Sequence, residues 1–241
     1  GFLFGLDTAA AYIRSGRYKR IILCGGDHMS SMTNYTDRNT CPIFGDGAAC
    51  VMMEATTEEI GLLDGYYCTN SKGLDHLCMK AGGSAKMPTH ETVDNNEHTV
   101  YQEGRTVYKH AVLNMSSSVK TIADRNGLNA DSINWVVPHQ ANINIEISVA
   151  SRIGIPEEKV MVNVDHMANT SGGTLPLCLW EYEPKLKKGD KLVFTAFGAG
   201  FSWGASYMIW GYDGAVEAAK EPADFYKEGE ISREEWYAKR A

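Results

Sequence analysis

The sequence predicts an α/β fold in which one structural unit occurs twice. Apolar runs of strand length alternate with helical apolar periodicity along most of the chain, a pattern typical of parallel or mixed sheets covered by helices. In addition, the order helix, basic turn, strand, glycine loop, strand occurs near both ends of the chain. A repeat of this length indicates gene duplication rather than a solenoid of short units.

The first copy of this unit occupies the start of the chain. Residues 2–13 place apolar side chains at helical spacing, and Gly16 follows as the expected C-cap. Residues 21–24 form a short apolar run that predicts a buried strand, which should end at the Gly-Gly-Asp of residues 25–27. After a polar loop, residues 48–54 predict a second strand.

The second copy lies near the other end of the chain. Residues 175–186 predict a helix, and the basic turn of residues 187–190 follows it. Residues 192–196 predict a strand that stops at the glycine loop of residues 198–200, and residues 206–210 predict the strand after that loop. The two copies therefore match element by element.

The segment between the copies predicts further alternation of helices and strands. Residues 104–124 and 144–153 have helical patterns, and residues 135–137 and 160–162 are short strand-like runs. Residues 68–100 are polar and irregular, and a loop of this length inside a compact domain is often functional.

Composition excludes several classes of function. The 241 residues are 44% hydrophobic and 22% charged, which is typical of a globular protein. The net charge of −7 argues against nucleic acid as a partner, because phosphate binding requires a basic surface. We expect no membrane association, because the chain lacks an apolar run of about 18 residues. The apolar start also lacks the basic leading region of a signal peptide.

The six cysteines indicate neither a metal site nor a disulfide framework. No Cys-x-x-Cys pair occurs, and the spacing typical of zinc ligands is absent, so no metal is expected. Cys24, Cys50 and Cys178 lie in apolar runs, where free cysteine behaves as a small hydrophobic residue. Reduced thiols predict a cytoplasmic location.

Three predicted strands are followed by groups that can stabilise negative charge. His139 follows residues 135–137 after Pro138, Asn169 follows the strand-like residues 160–164, and the glycine loop 198–200 ends a third strand. In α/β folds ligands bind at the carboxyl ends of strands. An imidazole, a carboxamide and exposed backbone N–H groups could together stabilise a developing oxyanion.

Each of these groups also has a structural interpretation. A single histidine after a strand is commonly a structural residue, and Asn-Thr-Ser before a helix is typical of an N-cap and turn. A Gly-Ala-Gly sequence commonly serves as a tight connection between strands. The joint placement of the three groups favours the functional interpretation.

Six motifs occur in a fixed order, namely Thr36-Asp37-Arg38, Phe44-Gly45-Asp46-Gly47-Ala48, Gly104-Arg105, Val137-Pro138-His139-Gln140-Ala141-Asn142, Asn169-Thr170-Ser171, and Phe197-Gly198-Ala199-Gly200-Phe201 with Trp203-Gly204 after it. Together they resemble the ketoacyl synthase III family of condensing enzymes over roughly residues 1–211. The resemblance implies a thiolase-like fold, a duplicated αβαβα layered sandwich, which would account for the repeat.

The resemblance also divides the chain. Residues 1–60 would be the end of the N-terminal half, residues 61–213 the C-terminal half with the histidine and asparagine, and residues 214–241 a C-terminal extension. Within the extension, residues 217–219 and 233–239 have helical patterns, which suit a surface appendage or a partner site equally.

The reaction implied is the decarboxylative Claisen condensation of an acyl-CoA starter with a malonyl-thioester. A cysteine at a helix N-terminus would take the acyl group, and loss of CO2 would leave an enolate. His139 and Asn169 would donate hydrogen bonds to the thioester carbonyl oxygen, and the N–H of Ala199 would contribute to an oxyanion hole. Three residues would bind coenzyme A, the first at its adenine end and the other two beside the pantetheine: Arg38, Ala141 and Asn142.

The implied partners are acyl-CoA, a malonyl-thioester on acyl carrier protein, and a second subunit in a homodimer, with no cofactor besides the substrates. Asn144 stands where the family has a carrier-docking arginine, and Arg152 is the only basic residue on its helix. An acidic carrier protein usually meets a basic surface, so docking of the standard carrier is weakly supported. Gly172 and Gly173 replace alanines of the family, which predicts a more adaptable loop or more space beside it.

The nucleophilic cysteine of the family lies two residues before the Gly-Phe pair that matches Gly1 and Phe2. None of the six cysteines matches it, so we expect the chain to belong to a longer polypeptide and to start just past this cysteine. Two alternatives to a condensing enzyme remain open. One is a non-catalytic partner subunit, and the other is an acyltransferase that uses the same Cys-His-Asn site without decarboxylation.

Overall fold

In the computed structural model, residues 1–214 are described, and they form layers of helices and sheets. The helices are α1 (Phe2–Arg14), α2 (His90–Asp94), α3 (Gly104–Arg125), α4 (Ile143–Ile153), α5 (Val164–Met167) and α6 (Thr174–Tyr182). The strands are β1 (Arg20–His28), β2 (Asp46–Glu54), β3 (Gly61–Thr69), β4 (Leu77–Met79), β5 (Val100–Gln102), β6 (Trp135–Pro138), β7 (Lys191–Gly198) and β8 (Ser202–Ile209). The helical patterns predicted at 217–219 and 233–239 lie outside the described residues.

The strands form one larger sheet and two antiparallel pairs. The larger sheet has the order β3-β8-β7-β6, in which only β6 and β7 run parallel. Strands β1 and β2 pair with each other, and so do β4 and β5.

Helices α1 and α6 form the layer between the two main sheets. Both contact the β1–β2 pair on one side and the larger sheet on the other. Helix α3 packs on the opposite face of the larger sheet, with α4 beside it. The described residues therefore make four successive layers, which are helical, sheet, helical and sheet.

Strand β7 contributes to the hydrophobic clusters on both faces of the larger sheet, because successive side chains of a strand point to opposite faces. Leu192 and Phe194 pack with α1 and α6, whereas Val193 packs against Val119 and Ile122 of α3. All five side chains are almost completely buried, so the sheet is apolar on both faces, as expected for a layered α/β protein.

The duplicated unit is present in the structure. Helix α1 leads to the antiparallel pair β1–β2, and helix α6 leads to the antiparallel pair β7–β8. Gly16 and Gly189, which follow the two helices, both have positive φ angles, the conformation that a glycine adopts at no steric cost. The predicted element order is therefore found in both copies.

Strand β1 differs from the prediction in length and burial. It continues through Gly25 and Gly26 to His28 instead of ending at these glycines. Its inner face packs on the core through Leu23, whereas Ile22 is 68% exposed. The predicted buried strand is therefore buried on one face only.

Two of the cysteines in apolar runs lie on that exposed face. Cys24 and Cys50 face each other across β1 and β2 with their Sγ atoms 2.6 Å apart, and both are exposed. Cys178 is buried in the core, as expected of a small hydrophobic residue.

The strand predicted at residues 160–162 is wrong. In this segment only Val160 forms a β-bridge, which pairs it with Val136, and the chain then leads into helix α5. The buried carboxamide of Gln140 explains the difference. Its Nε2 donates to the carbonyl of Met161, and its Oε1 accepts hydrogen bonds from the N–H groups of Asn163 and Val164. A side chain thus satisfies backbone groups that a neighbouring strand would otherwise pair.

The segment predicted to be irregular, residues 68–100, has more structure than the sequence indicates. It contains the end of β3, a 3-10 helix at Ser71–His76, strand β4 and the short helix α2. Strand β3 itself was not predicted, because its tyrosines and Asp64 interrupt any apolar pattern. In the part of the chain that the structure describes, no helix has the length and apolarity required to cross a membrane.

Candidate active site

A cavity of about 840 Å³ opens at the carboxyl ends of β6 and β7. Its wall combines residues of both repeats with residues of α3 and of the β4–β5 pair. Among them are Asp27, Met29, Ile43, Phe44, Cys78, Gln102, Arg105, Tyr108, His139, Ala141, Asn142, Asn169, Ser171, Phe197 and Ala199. The mixed lining places three of the sequence-predicted groups, an imidazole, a carboxamide and a glycine loop, in one space.

His139 directly follows β6, and its backbone N–H donates to the carbonyl of Thr195 on β7 at 2.8 Å. This bond extends the parallel pairing and holds the imidazole at the strand end. The ring Nδ1 lies 2.7 Å from the hydroxyl Oγ1 of Thr174. Burial lowers the pKa of His139 to about 4, so the ring is neutral near pH 7, although one edge borders the cavity.

Asn169 is held with its amino group free. Its Oδ1 accepts a 3.0 Å hydrogen bond from the backbone N–H of Ser171, which is a typical Asx turn. Its Nδ2 has no acceptor among the described residues, and the side chain lines the cavity. The carboxamide can therefore donate to a ligand in the cavity.

The backbone around Asn169 is strained. Ala168 and Ser171 have φ angles of 59° and 52°, and only one other non-glycine residue of the described chain has a positive φ. Such conformations cost of order 1–3 kcal/mol each and cluster at functional sites. They turn the chain sharply on both sides of Asn169.

The Asn169 loop is also joined to the first repeat. The backbone N–H of Asn169 donates to the carbonyl of Ile43 at 2.9 Å, and the N–H of Gly45 donates to the carbonyl of Asn169 at 3.0 Å. Phe44, between these two residues, lines the cavity. Hence the Phe44-Gly45-Asp46-Gly47 motif supports the loop that carries the carboxamide.

The glycines at 172 and 173 do not enlarge the site. A Cβ atom at Gly173 would lie 2.7 Å from the carbonyl oxygen of Gly47, and one at Gly172 would lie 3.0 Å from Oδ2 of Asp27. The expectation of more space beside this loop is therefore wrong, because the two repeats pack backbone to backbone there.

The remaining predicted site residues divide into two groups. Ala199, Ala141 and Asn142 line the cavity, and Asn142 also caps α4 by accepting the N–H of Asn144 on its Oδ1. Arg38 is exposed and lies outside the cavity wall, although its neighbour Asn39 is part of it. The structure thus brings five of the six predicted site residues together.

Two residues near the site were not predicted. Thr174 contacts the imidazole of His139, and Asp27 accepts the backbone N–H of Gly172 at 2.8 Å on its carboxylate. The position of Asp27 at the end of a predicted strand could have indicated a site residue. The position of Thr174 could not, because its role depends on contact with His139, which lies 35 residues earlier in the sequence.

Residues 1–214 contain no cluster of three or more metal-ligating side chains. The site instead offers a carboxamide donor, a neutral imidazole and the backbone of a glycine loop around one space. These groups suit the stabilisation of negative charge that develops on a carbonyl oxygen.

Two family models match the chain. Residues 1–71 match 3-oxoacyl-[acyl-carrier-protein (ACP)] synthase III, and residues 123–210 match the C-terminal part of the same family. Together the two matches cover more than half of the chain. Of the sequence motifs that line the cavity, only Gly104-Arg105 lies outside them.

Individual relatives agree with the family models. The chain is 61% identical over 218 residues to beta-ketoacyl-[acyl-carrier-protein] synthase III 2 of Bacteroides thetaiotaomicron, which is 90% of this chain and 65% of that protein. It is 61% identical over 215 residues to the synthase III of Phocaeicola vulgatus, which is 89% of this chain and 64% of that protein.

Solved structures show the same fold. The synthase III of Pseudomonas aeruginosa has a TM-score of 0.80 at 31% identity, over 88% of this chain and 65% of that one. The synthase III of Thermus thermophilus has a TM-score of 0.78 at 30% identity, over 89% of this chain and 66% of that one. The predicted thiolase-like fold is thereby confirmed. The chain spans about 65% of the length of the two relatives named above, and it belongs to the ketoacyl synthase III family of condensing enzymes.

Proposed function

We propose that this chain carries the decarboxylation site of a condensing enzyme. The enzyme would join an acyl-CoA starter to a malonyl-thioester in fatty acid initiation or in a specialised acyl or polyketide pathway. The observation that carries the proposal is the convergence of His139 and Asn169 on one cavity, with the Nδ2 group of Asn169 free to donate. Sequence relatives named beta-ketoacyl synthase III support it.

The chemistry requires stabilisation of an enolate. When the bond between the malonyl carboxylate and its neighbouring carbon breaks, CO2 leaves and the electron pair passes to the thioester carbonyl oxygen. A donor aimed at that oxygen stabilises the charge, and loss of one such donor typically costs about 2.7–4 kcal/mol. The enolate carbon then attacks the carbonyl of the acyl-thioester, whose thiolate leaves.

The wall of the cavity suits a thioester arm. Aromatic and aliphatic side chains line the cavity together with the polar groups, and Ala141, Asn142 and Ala199 line the same cavity as His139. We propose that Ala141 and Asn142 contact the pantetheine and that the N–H of Ala199 contributes to an oxyanion hole. Arg38, which is exposed outside the wall, would contact only the distal, adenine end of coenzyme A.

Carrier docking, dimerisation and location stay predictions from the family resemblance. Asn144 and Arg152 are both exposed on α4, so this helix itself offers a single cation to an acidic carrier protein. The homodimer, the use of coenzyme A thioesters and the cytoplasmic location belong to the same proposal.

Release of CO2 from a malonyl-thioester by the intact protein tests the proposal. We expect Asn169→Ala and His139→Ala each to lower the rate by about 10²–10³-fold. His166→Ala is the matched control, because that histidine lies outside the cavity, exposed between Asp165 and Glu181. It should leave the rate unchanged.

The assay also separates the alternatives. A wild-type protein that releases neither CO2 nor free thiol would indicate a non-catalytic subunit. One that releases thiol and transfers the acyl group without releasing CO2 would indicate an acyltransferase of the non-decarboxylating kind. Either result would overturn the proposal.

A further inference from the structure

Two cysteine thiols lie side by side on the exposed face of the β1–β2 pair. Cys24 of β1 and Cys50 of β2 are direct partners in the antiparallel register, and their Sγ atoms are 2.6 Å apart. Both are free thiols, and both are exposed among the described residues. They lie outside the cavity that holds His139 and Asn169, so the proposed condensation does not use them.

The hydrogen bonds between the two strands identify the kind of pair that the cysteines form. The N–H of Ala55 donates to the carbonyl of Lys19 at 2.9 Å, so these two residues are a hydrogen-bonded pair. Hydrogen-bonded and non-hydrogen-bonded pairs alternate along an antiparallel ladder. The register continues without a shift to Cys24 and Cys50, five pairs further along. The two cysteines are therefore a non-hydrogen-bonded pair.

A position of this kind suits a disulfide between neighbouring strands. Side chains approach most closely at non-hydrogen-bonded pairs, where the Cα atoms are about 4.5 Å apart, and disulfides span Cα separations of about 4.4–6.8 Å. A bond between Cys24 and Cys50 therefore requires rotation of two side chains and no displacement of either strand. Two thiols can also share a metal ion, but in residues 1–214 no third ligating side chain joins them.

We propose that Cys24 and Cys50 are a redox-active pair, which is reduced at rest and which hydrogen peroxide converts to a reversible disulfide. This inference is independent of the proposed function, because neither thiol takes part in the condensation. It agrees with the predicted cytoplasmic location, since disulfides of cytosolic proteins are usually transient and serve catalysis or redox sensing.

The contact between the sulfurs assigns a role to each of them. Cys50 donates its S–H to the sulfur of Cys24, and this hydrogen bond raises the pKa of the Cys50 thiol. Cys24 therefore makes the first attack. Its sulfur bonds to one oxygen of the peroxide, the O–O bond breaks, and the other oxygen leaves as water, which gives a sulfenic acid on Cys24. The sulfur of Cys50 then displaces the sulfenic hydroxyl, which leaves as a second water with the Cys50 proton.

The disulfide closes a loop that forms part of the active-site wall. The segment between the two cysteines carries Asp27, Asn39 and Phe44, and all three line the cavity. Oxidation ties the two ends of this segment together, and a closed loop restricts the unfolded chain. We expect the oxidised wild type to unfold at a higher urea concentration than the reduced protein, whereas Cys24→Ser should show no such shift after the same treatment.

Peptide mapping of the intact protein after treatment with hydrogen peroxide tests the proposal. Free thiols are first alkylated, and cleavage after acidic residues then releases Cys24 in residues 8–27 and Cys50 in residues 47–54, each without another cysteine. We expect these two peptides to be joined, with the summed mass less two hydrogen atoms, and to separate on reduction with dithiothreitol. If they stay separate after the treatment, or if Cys24 is joined to a different cysteine, the proposal is wrong.

Serine variants distinguish this pair from the other thiols. Cys24→Ser and Cys50→Ser should each lose the joined peptides completely, and Cys50→Ser should accumulate a sulfenic acid on Cys24 that dimedone traps. Cys41→Ser is the matched control, because it removes another thiol of the same segment. It should keep the joined peptides, and their loss there would contradict a direct bond. The wild-type map requires no variant, so poor folding of a variant does not leave the question open.

Discussion

The carboxylate of Asp27 accepts a 2.8 Å hydrogen bond from the backbone N–H of Gly172, and this bond joins β1 of the first repeat to the loop that carries Asn169. Asp27 also lines the cavity. One charged group therefore fixes the geometry of a loop that contains two residues with positive φ angles.

Removal of this carboxylate should loosen the Asn169 loop. We expect Asp27→Ala to lower kcat for malonyl-thioester decarboxylation by about tenfold, which corresponds to about 1.4 kcal/mol and is typical of one hydrogen bond to a partly exposed charged group. Asp27→Asn keeps an oxygen acceptor and should retain most of the activity. Measurement of kcat and KM for both variants checks this. Wild-type kcat in Asp27→Ala would show that the loop holds its shape without the bond.

Close packing between the repeats should make Gly173 intolerant of a side chain. The Cβ of Gly173→Ala would lie 2.7 Å from the backbone oxygen of Gly47, which cannot move aside as a flexible side chain can. We expect a loss of about 1–3 kcal/mol in the free energy of unfolding, measured by urea denaturation.

Gly104→Ala is the matched control for this substitution. Gly104 begins α3, and a Cβ atom there would meet nothing within 4 Å. Alanine should be neutral or stabilise by about 0.4–1 kcal/mol, because it restricts the unfolded chain. Similar losses in the two variants would refute the steric argument.

The buried carboxyl group of Glu146 should make the free energy of unfolding depend on pH. Its carboxyl is buried on α4, and both oxygens lack a side-chain partner. Burial raises its pKa from 4.5 to about 8, only partly offset by the nearby N–H groups of Asn142 and Ala141. The folded state thus keeps a proton that the unfolded chain loses above about pH 4.5. Stability should therefore fall by about 1.4 kcal/mol per pH unit up to about pH 8.

Glu146→Gln removes this dependence while keeping the shape of the protonated acid. The stability of the variant relative to the wild type should rise by roughly 4 kcal/mol between pH 5 and pH 8. Denaturation curves at the two pH values measure it. Glu58→Gln, which changes an exposed carboxylate paired with Lys188, should show no comparable trend. Parallel pH profiles for Glu146→Gln and the wild type would exclude an ionisable group of this kind.

Lys159 should stabilise the loop before β6. Its ammonium group donates to three backbone carbonyls, at 3.0 Å to Ala130, 3.2 Å to Asp131 and 2.8 Å to Ile133. Lys159→Met keeps the aliphatic stem and leaves these acceptors without their donor. We expect a loss of about 1.5–3 kcal/mol in the free energy of unfolding.

The control for this prediction is Lys188→Met. Lys188 forms a surface ion pair with Glu58 at 2.6 Å, and such pairs contribute about 0–1 kcal/mol. Equal effects of the two substitutions would mean that the three carbonyls are satisfied equally well by water when the ammonium is absent.

The sequence predicted the parts of the fold that depend on local pattern. Both copies of the helix–strand–strand unit were predicted, because apolar periodicity and the glycines at 16 and 189 act over a few residues. The strand at 160–162 was mispredicted for the opposite reason. Its apolar residues are buried, but their backbone partners are on the side chain of Gln140, about 20 residues away.

For the site, the sequence by itself determined which polar groups end the strands, since His139 and Asn169 follow apolar segments and strand ends converge in an α/β fold. Only the tertiary structure decided how these groups are oriented. Ser171 engages one end of the Asn169 carboxamide, Thr174 engages one nitrogen of the His139 ring, and Gly47 limits the space beside Gly173. Hydrogen bonds and steric contacts of this kind join residues that are distant in sequence, so their geometry exists only once the two repeats have packed together.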